Sequence, residues 1–189
     1  MKISKTLYIR NRKQWRSWLS KNYDNKNEIW LIYYRKSAGK PRIPYNDAVE
    51  EALCFGWIDS IIKHLDDERF VQRFSPRLPK SQLSEMNKER IRRLIRNKKM
   101  TKAGLNAIDG IFDHKKDKKH KFVIDLDILK AIKENKQAWK NFQKFSEGYK
   151  RVRIGYIKSQ GRHGDALFEK SLRHFVKMTA RNKKFGQIR

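Results

Sequence analysis

Apolar positions change their period several times along the chain, and each change marks an element. Over residues 11–22, Trp15, Trp18 and Leu19 recur at helical steps on one face, which predicts an amphipathic helix. Residues 28–35 (EIWLIYYR) are an almost unbroken aliphatic and aromatic run, the pattern of a buried central strand. After the Gly/Pro loop KSAGKPRIP, Tyr45, Ala48, Val49, Ala52, Leu53 and Gly56 share one face of a predicted helix. Asp47, Glu50, Glu51 and Cys54 fall on another face, and Gly56 supplies the stop. Alternation then predicts an antiparallel hairpin of strands 57–63 and 68–75 around the turn HLDDE. On its second strand Phe70, Gln72 and Phe74 face one way, and Arg69, Val71 and Arg73 the other.

Pro76 and Pro79 end that strand and open a basic loop. Ser84 caps a helix reaching about Asn97, with Ile91, Leu94 and Ile95 inward and Arg92, Arg93 and Arg96 outward. Thr101 caps a shorter helix through Ile111. The segment 112–121 (FDHKKDKKHK) is charged and of low complexity, and it reads as a linker. Beyond it the pattern is helical only. One helix runs from Leu126 through Trp139 to Phe145, a second follows a Ser146 cap, and the last spans about 165–182 with Phe168, Leu172, Phe175, Val176 and Thr179 inward. These patterns predict an α+β fold: a small antiparallel sheet packed with helices over 1–111, a linker at 112–121 and a basic helical subdomain over 122–189.

Charge changes the picture most. Against 20 Asp+Glu stand 47 Lys+Arg, a formal net charge of +27. The stretch from Lys130 to Arg189 alone carries 17 Lys/Arg and 4 Asp/Glu. Such a field draws in polyanions such as nucleic acid, although solvated lysine is also a cheap surface residue. The single cysteine, Cys54, excludes an internal disulfide and fits a reducing, cytoplasmic setting. No stretch reaches the roughly 20 apolar residues of a transmembrane segment, and the N-terminal residues carry no apolar run of signal-peptide length.

Candidate chemistry is sparse. Phosphate-loop, dinucleotide and nucleophile-elbow motifs are missing, and the five histidines show no metal-ligand spacing, so no metal or cofactor is implied. Cys54 follows Glu50 and Glu51, whose charge raises a thiol pKa, so it reads as a buried structural residue. Glu50 and Glu51 are adjacent and so do not face each other as a dyad would; they read as solvated or paired with nearby cations. Around the hairpin, a turn centred near Asp66 sets Asp59 opposite Arg73. That pairing has a structural reading, a cross-strand ion pair worth about 0.2–1 kcal/mol. It also has a functional one. Arg73, Arg77 and Lys80 would grip a small phosphate- or carboxylate-bearing ligand, Trp57 would be a stacking wall, and Asp59 or Glu51 an acid/base group. On the last helix Lys170, Arg173, Lys177, Arg181 and Lys184 form a basic stripe opposite the apolar face, either a solvated face or a polyanion surface.

The blocks EEALCFGWIDS, RFSPRLPKSQLSEMNKER and MTKAGLNAI, with WLSKNYDNKNEIWLIYYRKSAGKPRIPYNDAVEEAL upstream, resemble the bacteriocin-protection or OmpD-associated (YdeI-like) family of small bacterial proteins. The likeness runs closely from about Trp18 to Met100. FQKFSEGYKRVRIGYIKSQGR matches more loosely, with Glu147, Gly148 and Arg153 where the family has a Pro-Ser-rich start and an acidic helix. The resemblance implies an association with antimicrobial-peptide resistance and with an outer-membrane porin, and no reaction. Positions matching its recurrent motif include Trp30, Lys36, Tyr45, Glu50, Glu51, Cys54, Trp57, Asp59, Arg73, Phe74, Pro76, Arg77 and Lys80. The expectation is a non-catalytic cytosolic protein that binds an anionic partner. Its alternatives are a small-ligand site at the hairpin, drawn from Lys36, Tyr45, Trp57, Asp59, Arg73, Arg77 and Lys80, and nucleic-acid binding by the C-terminal helices.

Overall fold

The computed structural model describes residues 2–79, 81–113, 116–117 and 122–186. The chain divides into two compact units, Met1–Gln82 with Arg90–Asp113, and Leu83–Glu89 with His114–Arg189.

The first unit is α+β. In chain order it holds β1 (Thr6–Tyr8), α1 (Arg12–Asn22), β2 (Ile29–Tyr34), a 3-10 turn (Lys36–Ala38), α2 (Tyr45–Cys54), β3 (Trp57–His64) and β4 (Arg69–Pro76). Next come α3 (Glu85–Arg96), which belongs to this unit from Arg90 onward, and α4 (Lys102–Asn106). The sheet order is β1-β2-β4-β3, with β2 and β4 inside. β1 pairs with β2 in parallel, so the sheet is mixed and four-stranded rather than purely antiparallel. Parallel neighbours need a crossover, and α1 supplies it. Three residues, only two of them apolar, are too short a run to show alternation, which is why β1 is silent in the sequence.

α1 starts at Asn11, whose side chain accepts from the Gln14 amide at 3.0 Å. Trp15 is fully buried; it stacks on Trp18, meets Phe74 edge-on and donates its indole N–H to the Ala48 carbonyl at 2.9 Å. α2 has no solvated acidic face, since every residue from Ala48 to Cys54 is buried. Glu50 and Glu51 are buried because guanidinium groups follow them in. Arg12 reaches Asp47 at 3.5 Å and Glu50 at 3.0 Å and also bonds Glu51; Arg16 pairs with Glu51 at 2.7 Å, and Arg93 pairs with Glu50. Arg93 therefore turns inward rather than out, and Arg92 lies over the Phe112 ring at 5.4 Å. Thr101 caps α4, accepting from Gly104 at 3.2 Å, but the helix ends at Asn106, well short of Ile111. Gly104 is required where it stands: a Cβ there would lie 2.2 Å from the Cys54 carbonyl oxygen.

The second unit is helical: α5 (Leu126–Glu134), α6 (Lys136–Lys144), α7 (Glu147–Gly161) and α8 (Asp165–Ala180). Ile128, Ile132, Phe142, Phe145, Tyr149, Ile157, Leu172 and Phe175 form its core. The helix expected to run unbroken from Leu126 to Phe145 is two. Asn135 leaves the helical region (φ −99°, ψ 101°), and its side chain accepts from the Ala138 amide at 2.9 Å, opening α6. Ser146 caps α7 as predicted. Among the described residues no helix is long and apolar enough to cross a membrane.

Candidate functional site

The hairpin register decides the first unit's site. Asp59 stands opposite Phe74, not Arg73, and a bulge between Asp59 and Ile62 shifts the pairing again. One residue of register moves a side chain to the other face of the sheet, so Asp59 and Arg73 point away from each other and form no pair. Arg73 is already neutralised: its Nε bonds Glu28, and Nη1 donates to Ser75 Oγ at 3.1 Å and Ser60 Oγ at 3.4 Å. Trp57 is 1% exposed, edge-on to Trp18, with its indole N–H bonded to the Tyr23 carbonyl at 3.0 Å. It is a core residue and cannot be a stacking wall. Arg77 lies just past β4; its backbone N–H reaches the Gly56 carbonyl at 2.9 Å, its guanidinium donates to the Ser81 carbonyl, and burial lowers its pKa. Lys36 is exposed in the 3-10 turn, and Lys80 lies outside the described residues. Glu51, the other proposed acid/base group, is consumed by Arg12 and Arg16.

What the fold does gather is a half-buried polar cluster on the side of the sheet that faces α2. Asp59 Oδ2 accepts from the Tyr45 hydroxyl at 2.9 Å and from Gln72 Nε2 at 2.8 Å. Arg90, 7% exposed, bonds Asn46 at 2.6 Å and lies 5.9 Å from the Tyr45 ring centroid. Burial and the Asp59 charge push the Tyr45 hydroxyl up to about 12 and raise Tyr33 further. Tyr33 stacks on Phe70 and is 2% exposed, and its hydroxyl finds no partner among the described residues. Tyr33, Gln72 and Arg90 were not singled out in the sequence. A phenol inside an otherwise apolar strand was the visible sign for Tyr33; nothing marked Arg90.

In the second unit a groove of about 530 Å3 lies between the end of α5 and α8. Ala131, Leu172, Val176 and Ala180 give it apolar lining, and the exposed Arg173, Lys177 and Arg181 give it a basic rim, with Glu134, Asn135 and Glu169 also present. Of the predicted stripe, Lys170 is exposed but does not line the groove. Lys184 is not on the helix at all. α8 ends at Ala180, Asn182 turns the chain with φ 54°, and the Lys184 ammonium sits 5.4 Å from the Phe145 ring and 5.8 Å from Tyr149. Among the described residues no group of His, Cys, Asp and Glu is arranged to hold a metal.

Two family models match this chain. Residues 7–107, more than half of it, fit a domain of unknown function, DUF8412, and residues 121–182 fit the family described as bacteriocin-protection, YdeI or OmpD-associated. The chain belongs to the DUF8412 family and carries a bacteriocin-protection domain. The DUF8412 match takes in most of the sheet unit with its polar cluster; the bacteriocin-protection domain holds α5 to α8 and the groove. The family likeness seen in the sequence stands, but its place is reversed. The bacteriocin-protection match falls on the looser C-terminal stretch, whereas the motif-rich blocks before Met100 lie in the DUF8412 domain. No curated protein and no solved structure matches the chain.

Proposed function

We propose that the protein is a non-catalytic cytosolic factor, associated with resistance to antimicrobial peptides, whose bacteriocin-protection domain binds the phosphate backbone of a nucleic acid through the basic rim of the α8 groove. One observation carries this reading. Arg173, Lys177 and Arg181 stand exposed at four-residue steps, about 6 Å apart along the axis. Arg173 meets Glu169 only at 3.9 Å in a largely exposed pair, and Lys177 and Arg181 meet no acid among the described residues. The excess of 17 Lys/Arg over 4 Asp/Glu from Lys130 onward supports it by raising the local potential. The apolar lining without aromatic side chains suits backbone contact rather than base stacking. The test is fluorescence anisotropy of a labelled oligonucleotide at low salt, beside vesicles of anionic lipid. Oligonucleotide binding that Arg173→Gln, Lys177→Gln and Arg181→Gln together abolish supports the reading. Binding to vesicles alone, or to neither, ends it.

A second reading, a small polar ligand held at the sheet, is favoured by the buried Tyr33 hydroxyl, which has no partner among the described residues, beside Asp59 and Tyr45. Mass spectrometry of small molecules carried through native purification tests it. A compound lost in Asp59→Asn supports this reading, and no compound in the wild type ends it.

A further inference from the structure

α7 carries a charge that no acid among the described residues balances. Arg153 is 8% exposed, and its Nε is buried with no hydrogen-bond partner among the described residues. Its guanidinium lies against aromatic rings, 3.8 Å from the Phe185 centroid and 5.0 Å from that of Tyr156. Two residues earlier Arg151 has Glu147 and Asp117 as ion-pair partners. Arg153 has no carboxylate among the described residues. Burial lowers its pKa, and the groups that work against that fall are Tyr149 and Tyr156. The other polar side chains packed on these rings bring no carboxylate either among the described residues. Lys184 sits over the Tyr149 ring, and His174 meets Phe185 edge-on at 4.8 Å.

A guanidinium taken out of water needs a counter-charge or a full set of acceptors, because desolvating it alone costs several kcal/mol. Ring faces recover part of that, about 2 kcal/mol for a desolvated cation–π contact. They leave the N–H groups without acceptors. Among the described residues the terminal nitrogens make no hydrogen bond either, and Nη1 lies close to Gly186. A planar fork held by two rings, with its N–H donors unspent, matches a group that offers two oxygens side by side.

We propose that Arg153 is the anchor of an oxyanion site in the bacteriocin-protection domain, taking the carboxylate or phosphate group of a small ligand, with the half-exposed Tyr156 ring beside it as a flank for the ligand's body. Lys184 adds charge, and Tyr149, whose hydroxyl accepts from the Phe185 amide at 3.3 Å, fixes the segment that carries the second ring. This site is distinct from the α8 groove: neither Arg153 nor Phe185 lines it. The two proposals therefore fail separately.

The experiment titrates the full chain with inorganic phosphate and, in a second arm, acetate, at ionic strength held constant with chloride. Calorimetry measures affinity, and the ring-proton resonances of Tyr156 and Phe185 locate the site. The expected result is saturable binding of at least one oxyanion that shifts both rings. Arg153→Gln abolishes it, and Arg153→Lys, which keeps the charge and loses the fork, weakens it by about tenfold or more. Arg173→Gln leaves it unchanged. The arm that binds more tightly identifies the phosphate or the carboxylate as the natural group. No ring shift with either anion, or the same shift and affinity in Arg153→Lys, overturns the proposal; the lysine variant keeps the test sound if the glutamine variant does not fold.

Discussion

Neutralising the groove rim by Arg173→Gln, Lys177→Gln and Arg181→Gln removes charge without touching the core. All three side chains are exposed, and their one acid contact among the described residues, Arg173 to Glu169, joins side chains 72% and 54% exposed at 3.9 Å. Surface changes of this kind leave stability within about 0.5 kcal/mol, so the variant folds and its binding can be read directly. Each phosphate neutralised by a cation contributes about −0.9 to the slope of log Kobs against log salt on duplex DNA and about −0.7 on a single strand. If each rim cation meets one phosphate, the variant's slope is shallower by about 2.7 on duplex and about 2.1 on single strand. Between about 50 and 200 mM salt, the wild type then loses roughly 40-fold more affinity on duplex than the variant does. Anisotropy titrations at four or five salt concentrations measure both slopes. Lys184→Gln is the internal control, since that ammonium lies over the Phe145 and Tyr149 rings instead of on the rim. Parallel slopes for wild type and triple variant would refute the reasoning, however much the charge had weakened binding overall.

Glu51→Gln breaks ion pairs of a carboxylate that is 2% exposed, but its partners Arg12 and Arg16 are 29% and 40% exposed and can rehydrate. The expected cost is therefore at the low end for a buried pair, about 3 kcal/mol, against less than about 1 kcal/mol for the exposed Lys158–Asp125 pair in Asp125→Asn; urea unfolding compares them, and equal costs would remove the network's structural role. Burial, then the Glu51 charge, pushes the Cys54 thiol up to about 11, so a thiol reagent at neutral pH should label it only at the rate of opening, with labelling accelerating through the urea transition. The Ser4 hydrogen bond, and next Arg73, hold the Glu28 carboxyl below its ordinary 4.5. A lowered folded value gives stability present above the unfolded value and lost as pH falls through the folded one. Ser4→Ala with Arg73→Met should then cost more stability at about pH 7 than at about pH 2, where only the loss of the Arg73 bonds to Ser60 and Ser75 remains, a difference that urea midpoints at the two pH values would show.

Much of this architecture was legible because it rests on local periodicity. The Trp15/Leu19 face of α1, the apolar run of β2, the two hairpin strands and the Ser146 cap all follow from residues that are neighbours in the chain. The site depended on quantities that local pattern does not carry. Asp59 and Arg73 were one residue away from facing each other: the turn is centred one residue later, at Asp67, and the bulge between Asp59 and Ile62 then sets Asp59 opposite Phe74, on the other face from Arg73. The acids of α2 could be read only as solvated or paired with nearby cations, because their actual partners, Arg12, Arg16 and Arg93, come from distant segments. The cationic face of α8 was visible as a four-residue repeat, yet Lys184 fits that repeat only if the helix continues, and it stops at Ala180. Arg153, with Tyr149 and Tyr156 at helical spacing on either side, was readable as an aromatic-flanked cation; that no acid among the described residues reaches it is a tertiary fact.

The bulge in β3 has a bearing on how this chain behaves when crowded. β3 is a border strand of the sheet, and it shows the water Ile61 at 41% and Ile62 at 59% exposure. An uninterrupted border of that kind would template the addition of a foreign strand. Here the ladder loses its step between Asp59 and Ile62, just where the isoleucines emerge, and Lys63 follows at once. An incoming strand would meet a broken hydrogen-bond rhythm and a like charge from its twin, so the same irregularity that re-aims the hairpin guards it against fibril growth.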